Sequence, residues 1–195
     1  EKKLINERSR YAFKSTDVHE IYLNVQDEAI SLEGYFAIFK KDPKYGDGFA
    51  AKVKAKFLVI GLSANAMFGE VDDFKYFYVD ALADLSKSPV AMGAVSFYGF
   101  GGGAYSHMRQ IPPSGNPLAV TQNATNLKPI INYEPDKSTA FGFKAMVALG
   151  TSGNPTAFNA KVTFEMSFNE NGGIKNVMFY GAGYFMTKLD VLNDN

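Results

Sequence analysis

Two stretches of the chain alternate apolar and polar residues almost without a break. In the first, Ala51, Val53, Ala55, Phe57 and Val59 interleave with Lys52, Lys54 and Lys56. In the second, Ala160, Val162, Phe164, Met166 and Phe168 interleave with Lys161, Thr163, Glu165, Ser167 and Asn169. A period of two places successive side chains on opposite faces of a β-strand, so each segment has one apolar and one polar face. The expectation is that the oily face turns inward and the lysine face turns to solvent.

The same reading along the chain gives strands near 19–26, 29–41, 49–62, 63–71, 74–85, 90–108, 139–150, 157–169 and 174–187. Asp42–Gly48 reads as a turn on Pro43, Gly46, Asp47 and Gly48. Asp72-Asp73 reads as another, and Asn169–Gly173 is a strong hairpin signal. Connections this short suit antiparallel neighbours, not parallel crossovers. The fold expected is all-β, an antiparallel meander of about nine strands, closed or nearly closed as a barrel, with a β-sandwich as the alternative. Residues 1–18 form a lead-in segment and 19–187 a single β domain. Residues 188–195 are a tail. Between 111 and 137 regular patterning stops among Pro112, Pro113, Pro117, Pro129 and Pro135, and a loop this long in a compact domain is usually functional or a linker.

At 195 residues a single domain buries enough surface to need no staples. Lysine plus arginine equals aspartate plus glutamate at 20 each, so no bulk field draws nucleic acid or an anionic surface. There is no cysteine, which removes disulfides, thiolate chemistry and Cys-based metal sites together. The chain opens at Glu1 without a leader pattern, as a mature form or a segment of a longer chain would. No run of 18 apolar residues exists, so no transmembrane helix is expected.

Candidate chemistry is sparse. Gly99, Gly101 and Ala104 nominally satisfy the dinucleotide glycine pattern, but Ile111-Pro112-Pro113 leaves no room for the helix that motif requires. The run Gly101-Gly102-Gly103 reads first as a sharp bend and second as a gap beneath a ligand, with Tyr98 and Tyr105 beside it. His107 follows Ser106 directly, so the two point to opposite faces and form no dyad. Asp80 and Asp84 share a strand face but stand roughly 13 Å apart, too far for paired acid–base work, and read as a solvated face. No catalytic residue, metal site or cofactor is expected.

Three runs carry a resemblance: Tyr45-Gly46-Asp47-Gly48-Phe49, then Phe68-Gly69-Glu70 continuing to Phe74–Ala81, then Ser96–Tyr105. Over roughly residues 45–108 they resemble strand-rich segments of very large bacterial envelope or secreted proteins. The resemblance implies an extracytoplasmic setting and carries over no functional residue.

The leading expectation is a non-enzymatic structural or interaction module of a larger extracytoplasmic protein. Its partner is another protein or the rest of a longer chain, contacted through Asn123, Asn126, Asn132 and Tyr133 in the long loop. A second reading is a barrel for a small apolar ligand, with Tyr98, Tyr105, Phe57, Phe77 and Phe143 at its site and Ala51, Val53, Ala55, Val79 and Val147 completing the lining. A third is an outer-membrane barrel, in which the lysines at 52, 54 and 56 face the lumen. The polar stretch from Thr187 to Asn195, which offers no anchoring strand, ranks insertion last of the three.

Overall fold

The structure, a computed structural model, describes residues 19–111 and 132–192. These fold as twelve strands with no helix: β1 Glu20–Gln26, β2 Ile30–Asp42, β3 Gly46–Phe57, β4 Ile60–Val71, β5 Phe74–Asp84, β6 Val90–Met92, β7 Val95–Ser106, β8 Met108–Gln110, β9 Tyr133–Pro135, β10 Thr139–Thr151, β11 Phe158–Asn169 and β12 Ile174–Phe185. Ten of them make one antiparallel sheet in the order β1-β2-β3-β4-β5-β7-β10-β11-β12, with β6 paired to β7. Most long strands lie beside their neighbour in sequence because turns of a few residues can join only antiparallel partners, while β7 and β10 pair across the long connection. β8 and β9 form a separate two-stranded ribbon. Among the described residues no ladder joins β1 to β12.

Several boundaries differ from those expected. The first alternating segment stops at Phe57, because Leu58 and Val59 form a two-residue turn pairing Phe57 with Ile60. Leu58 takes φ 48°, a left-handed conformation that apolar residues seldom adopt and that pattern reading does not anticipate. Within the long loop, Tyr133–Pro135 is a strand, paired with residues some 25 positions earlier. Asn123 and Asn126 lie outside the described residues.

Antiparallel partners share a face, so the registers sort every strand residue onto one of two sides. One side carries Leu32, Phe36 and Ile38; Phe49, Ala51, Val53, Ala55 and Phe57; Leu62, Ala64, Ala66 and Phe68; Phe77, Val79, Ala81 and Ala83; Phe143, Ala145, Val147 and Leu149; and Val162, Phe164 and Met166. The other carries Glu33 and Tyr35, Lys52, Lys54 and Lys56, Ser63, Asn65 and Met67, Tyr76, Tyr78 and Asp80, Lys144, and Lys161, Thr163, Glu165 and Ser167.

The side that is covered is the polar one. The ribbon folds over one end of it: Met108 and Tyr133 pack with Met67, Tyr76, Tyr78, Tyr105 and Ala50. The chain after β12 folds over the other end, where Leu189 and Val191 pack with Tyr98 and Ala148. On the opposite side Val53, Phe57, Leu62, Phe68, Phe100, Phe141, Val177 and Phe179 are exposed, Phe179 by 77%. Smaller residues there are shielded by their neighbours, as Ala55 is between Leu32 and Leu62 in register. The expected polarity is therefore reversed. The lysine-bearing face is the inner one, and no element among the described residues covers the oily face.

Candidate functional site

The centre of the covered face is built around a column of glycines. Gly103 on β7 stands in register between Asp80 on β5 and Lys144 on β10. With no side chain between them, Lys144 Nζ reaches across to Asp80 Oδ2 at 2.7 Å, with both side chains about nine-tenths buried. A Cβ on Gly103 would lie 2.7 Å from Asp80 Cβ and 3.0 Å from Lys144 Cε. The glycine run is thus neither a bend nor a ligand gap. The β7 ladder is regular through it, and the irregularity falls at Tyr98, between the pairs Ala148–Gly99 and Leu149–Phe97.

Asp80 also accepts from Asn65 Nδ2 at 2.8 Å and from the Tyr78 hydroxyl. Lys144 donates to the Tyr78 oxygen as well and lies over the Tyr78 and Tyr133 rings, 4.9 and 5.5 Å from their centroids. Burial works against the Asp80 charge, but the Lys144 charge and these donors outweigh it and hold the carboxyl below its ordinary range. Asp80 is therefore a buried ion-pair member rather than part of a solvated face.

Beside this pair sits Glu165, 1% exposed. Its carboxylate accepts from Tyr105 at 2.6 Å, from Tyr133 at 2.7 Å and from Tyr180 at 3.4 Å. Burial first, then the Glu165 carboxylate, pushes the Tyr105 and Tyr133 phenols well above the ordinary value and raises Tyr180 to about 12. Tyr105 lies flat over Gly142, whose Cβ, if present, would be 2.1 Å from the ring. Tyr133 packs at a tilt against Tyr78 and Tyr105, with centroids 4.5 and 5.0 Å away. The Tyr45 hydroxyl donates to the Tyr133 carbonyl at 3.2 Å.

These contacts fill the space above the central strands. Every buried side-chain polar atom among the described residues has a partner, and the bond from Tyr133 to Glu165 fixes the ribbon to the sheet. The His107 Nδ1 meets the Lys75 carbonyl at 2.9 Å and its ring stands edge-on to Phe74.

The residues expected at an apolar ligand site are not brought together. Tyr98 and Tyr105 are buried on the polar face, whereas Phe57, Phe77 and Phe143 lie on the other. Ala51, Val53, Ala55, Val79 and Val147 share that second face. No covering element among the described residues turns it into an enclosed cavity. Of the expected loop contacts, Asn132 is exposed but Tyr133 is 3% exposed and points inward. Sequence reading passed over Lys144, Glu165, Tyr78 and Asn65. Their signal was position, since each falls on the polar side of its alternating strand.

The second notable surface is the bare apolar face. Phe36, Phe49, Phe68 and Phe77 line up along its loop end, with successive centroids 5.4, 5.2 and 6.0 Å apart, and Phe143 with Phe168 continues the row. Phe97 with Phe100, and Phe158 with Phe185, mark the other end. Between the rows no charged side chain among the described residues lies on this face. Beyond the loop-end row, Asp47, Glu70 and Lys75 do. Fold and surface together define an all-β antiparallel meander with a packed polar side and an unpacked apolar one. No protein-family model, curated protein or solved structure matches the chain.

Proposed function

We propose that the protein is a membrane-embedded β-sheet of the cell envelope that closes as a barrel, with its apolar face to lipid and its polar face to a filled lumen. Its role is structural, spanning and anchoring rather than catalytic. The observation that carries this reading is the exposure of the apolar face combined with the absence, among the described residues, of charge between its two phenylalanine rows. An aqueous protein gains by hiding such a face, since exposed apolar patches beyond a few hundred Å² mark interaction or membrane surfaces. In hydrocarbon the same face is the correct exterior, and polar residues belong inside.

The dimensions agree. The long strands run 11 to 13 residues, against the roughly 9–11 that cross a bilayer when tilted. From Phe158 to Phe168 is about 33 Å along β11, or roughly 25 Å at a tilt near 40°, the height of a lipid-facing band. The carboxylates and lysine beyond the loop-end row would then sit among headgroups. The apolar-ligand reading has less support, because its lining lies on the bare face.

The test is partition and depth. The protein is expected to stay with membranes through an alkaline wash and to need detergent for extraction. Ala81→Arg, at mid-band, is expected to destabilise it in bilayers by about 2–4 kcal/mol. A chain that is monodisperse in plain buffer, or that tolerates Ala81→Arg in bilayers, would sink the reading.

A further inference from the structure

The open edges of the sheet carry a second consequence. Free strand edges invite pairing, and aqueous proteins blunt them with charges, proline or bulges. Among the described residues neither edge is blunted over its central stretch. β1 reads Ile-Tyr-Leu-Asn-Val-Gln from 21 to 26, and β12 reads Asn-Val-Met-Phe-Tyr-Gly-Ala-Gly-Tyr-Phe from 176 to 185. Both are uncharged there, and β1 is exposed along its whole length, on both faces. Each edge keeps the two-sided pattern of the sheet: Ile21, Leu23 and Val25 continue the apolar face on one, and Val177, Phe179 and Phe185 on the other.

Direction narrows how these edges can meet. The path β1-β2-β3-β4-β5-β7-β10-β11-β12 is antiparallel at every step, and it holds an odd number of strands, so β1 and β12 point the same way. Content narrows it further. About eight strands enclose room for side chains only. Here the polar face also carries the backbone of a two-stranded ribbon, through Met108 and Tyr133, and of the terminal segment through Leu189 and Val191. A cylinder that holds those as well needs more strands than one copy supplies.

We propose that two copies of the chain join edge to edge, β12 of each running parallel beside β1 of the other, in one continuous closed sheet. A two-fold axis along the strands keeps both polar faces inward and both copies in the same orientation, as closed symmetry requires. The demand that no edge stay open rests on the membrane reading, while the uncharged edges argue for pairing without it.

The absence of cysteine in the chain makes the test clean. Ile21→Cys, Leu23→Cys and Val25→Cys are each combined with Phe179→Cys, extracted in mild detergent and oxidised. The expected result is a disulfide-linked species of two chains from at least one combination. The same species should form when a β1 single variant is co-expressed with a Phe179→Cys chain, together with a two-chain mass for the unmodified protein. A one-chain mass, or cross-links formed only within a single chain, overturns the proposal. If the two-chain mass persists in buffer without detergent, the membrane reading falls and the edge join stands.

Discussion

Gly103 allows Asp80 and Lys144 to meet, because any side chain there would occupy the line between them. Gly102, one position along, projects to the other face, where an added Cβ meets only the Lys144 carbonyl at 3.1 Å. Alanine at the two sites should therefore behave differently. Gly103→Ala is expected to destabilise by about 3–5 kcal/mol, the scale of breaking a buried pair. Gly102→Ala should stay within about 1 kcal/mol of wild type, since a lost glycine also narrows the unfolded ensemble. Chemical denaturation of both variants decides it, and equal losses would remove the bridging role. The carboxylates make a pH prediction. Burial raises the Asp136 carboxyl, but Lys175 at 2.6 Å, Ser138 and Thr139 overcome it and hold the group well below the ordinary range. Asp80 is lowered as well. A carboxyl depressed in the folded state contributes stability above its unfolded value, near 3.8, and loses it as pH falls toward the folded value. The thermal midpoint should hold from neutral pH down to about 4 and then decline, and Asp136→Asn should make that decline shallower. A midpoint that rises on acidification would contradict the assignment.

Elements joined by local signals were legible in the chain, and those joined across distance were not. The hairpin at Asn169–Gly173 forms as its composition implies: the Asn169 side chain accepts from the backbone N–H of Asn171 and Gly173 at 3.0 and 3.1 Å, and Gly172 takes φ 80°. The turn at Leu58-Val59 was hidden because both residues fit the apolar run. The β8–β9 ribbon was hidden for another reason. Three residues on either side of a long connection carry no periodicity, and only the packing of Met108 and Tyr133 reveals them. The Leu58 turn offers a test. Positive φ at the first of two turn positions is the type II′ pattern, which prefers glycine. Leu58→Gly relieves the left-handed strain of a bulky residue and should raise stability by up to about 1 kcal/mol, read from the denaturation midpoint. A loss of that size would contradict the strain assigned to Leu58.

For the whole molecule, alternation disclosed the two faces and the meander, but not which face turns inward. The same pattern serves a protein in water and one in lipid, and the solvent decides between them. Tyrosine and phenylalanine held the missing information. The strand tyrosines Tyr22, Tyr35, Tyr76, Tyr78, Tyr105, Tyr180 and Tyr184 fall on the polar side, while nearly all the strand phenylalanines, apart from Phe39 and Phe74, fall on the other. A phenol needs a hydrogen-bond partner when covered and a phenyl ring does not, so their division marks the side that will be packed against polar groups. The Lys144–Asp80 link steps over β7, and the Tyr105–Glu165 link steps over β10. These stitches overlap, so β5 through β11 cannot separate one strand at a time. Under tension or in amide exchange, once β1 is parted from its outer neighbour, opening should run inward easily and then halt at β5, leaving a block that gives way only all at once.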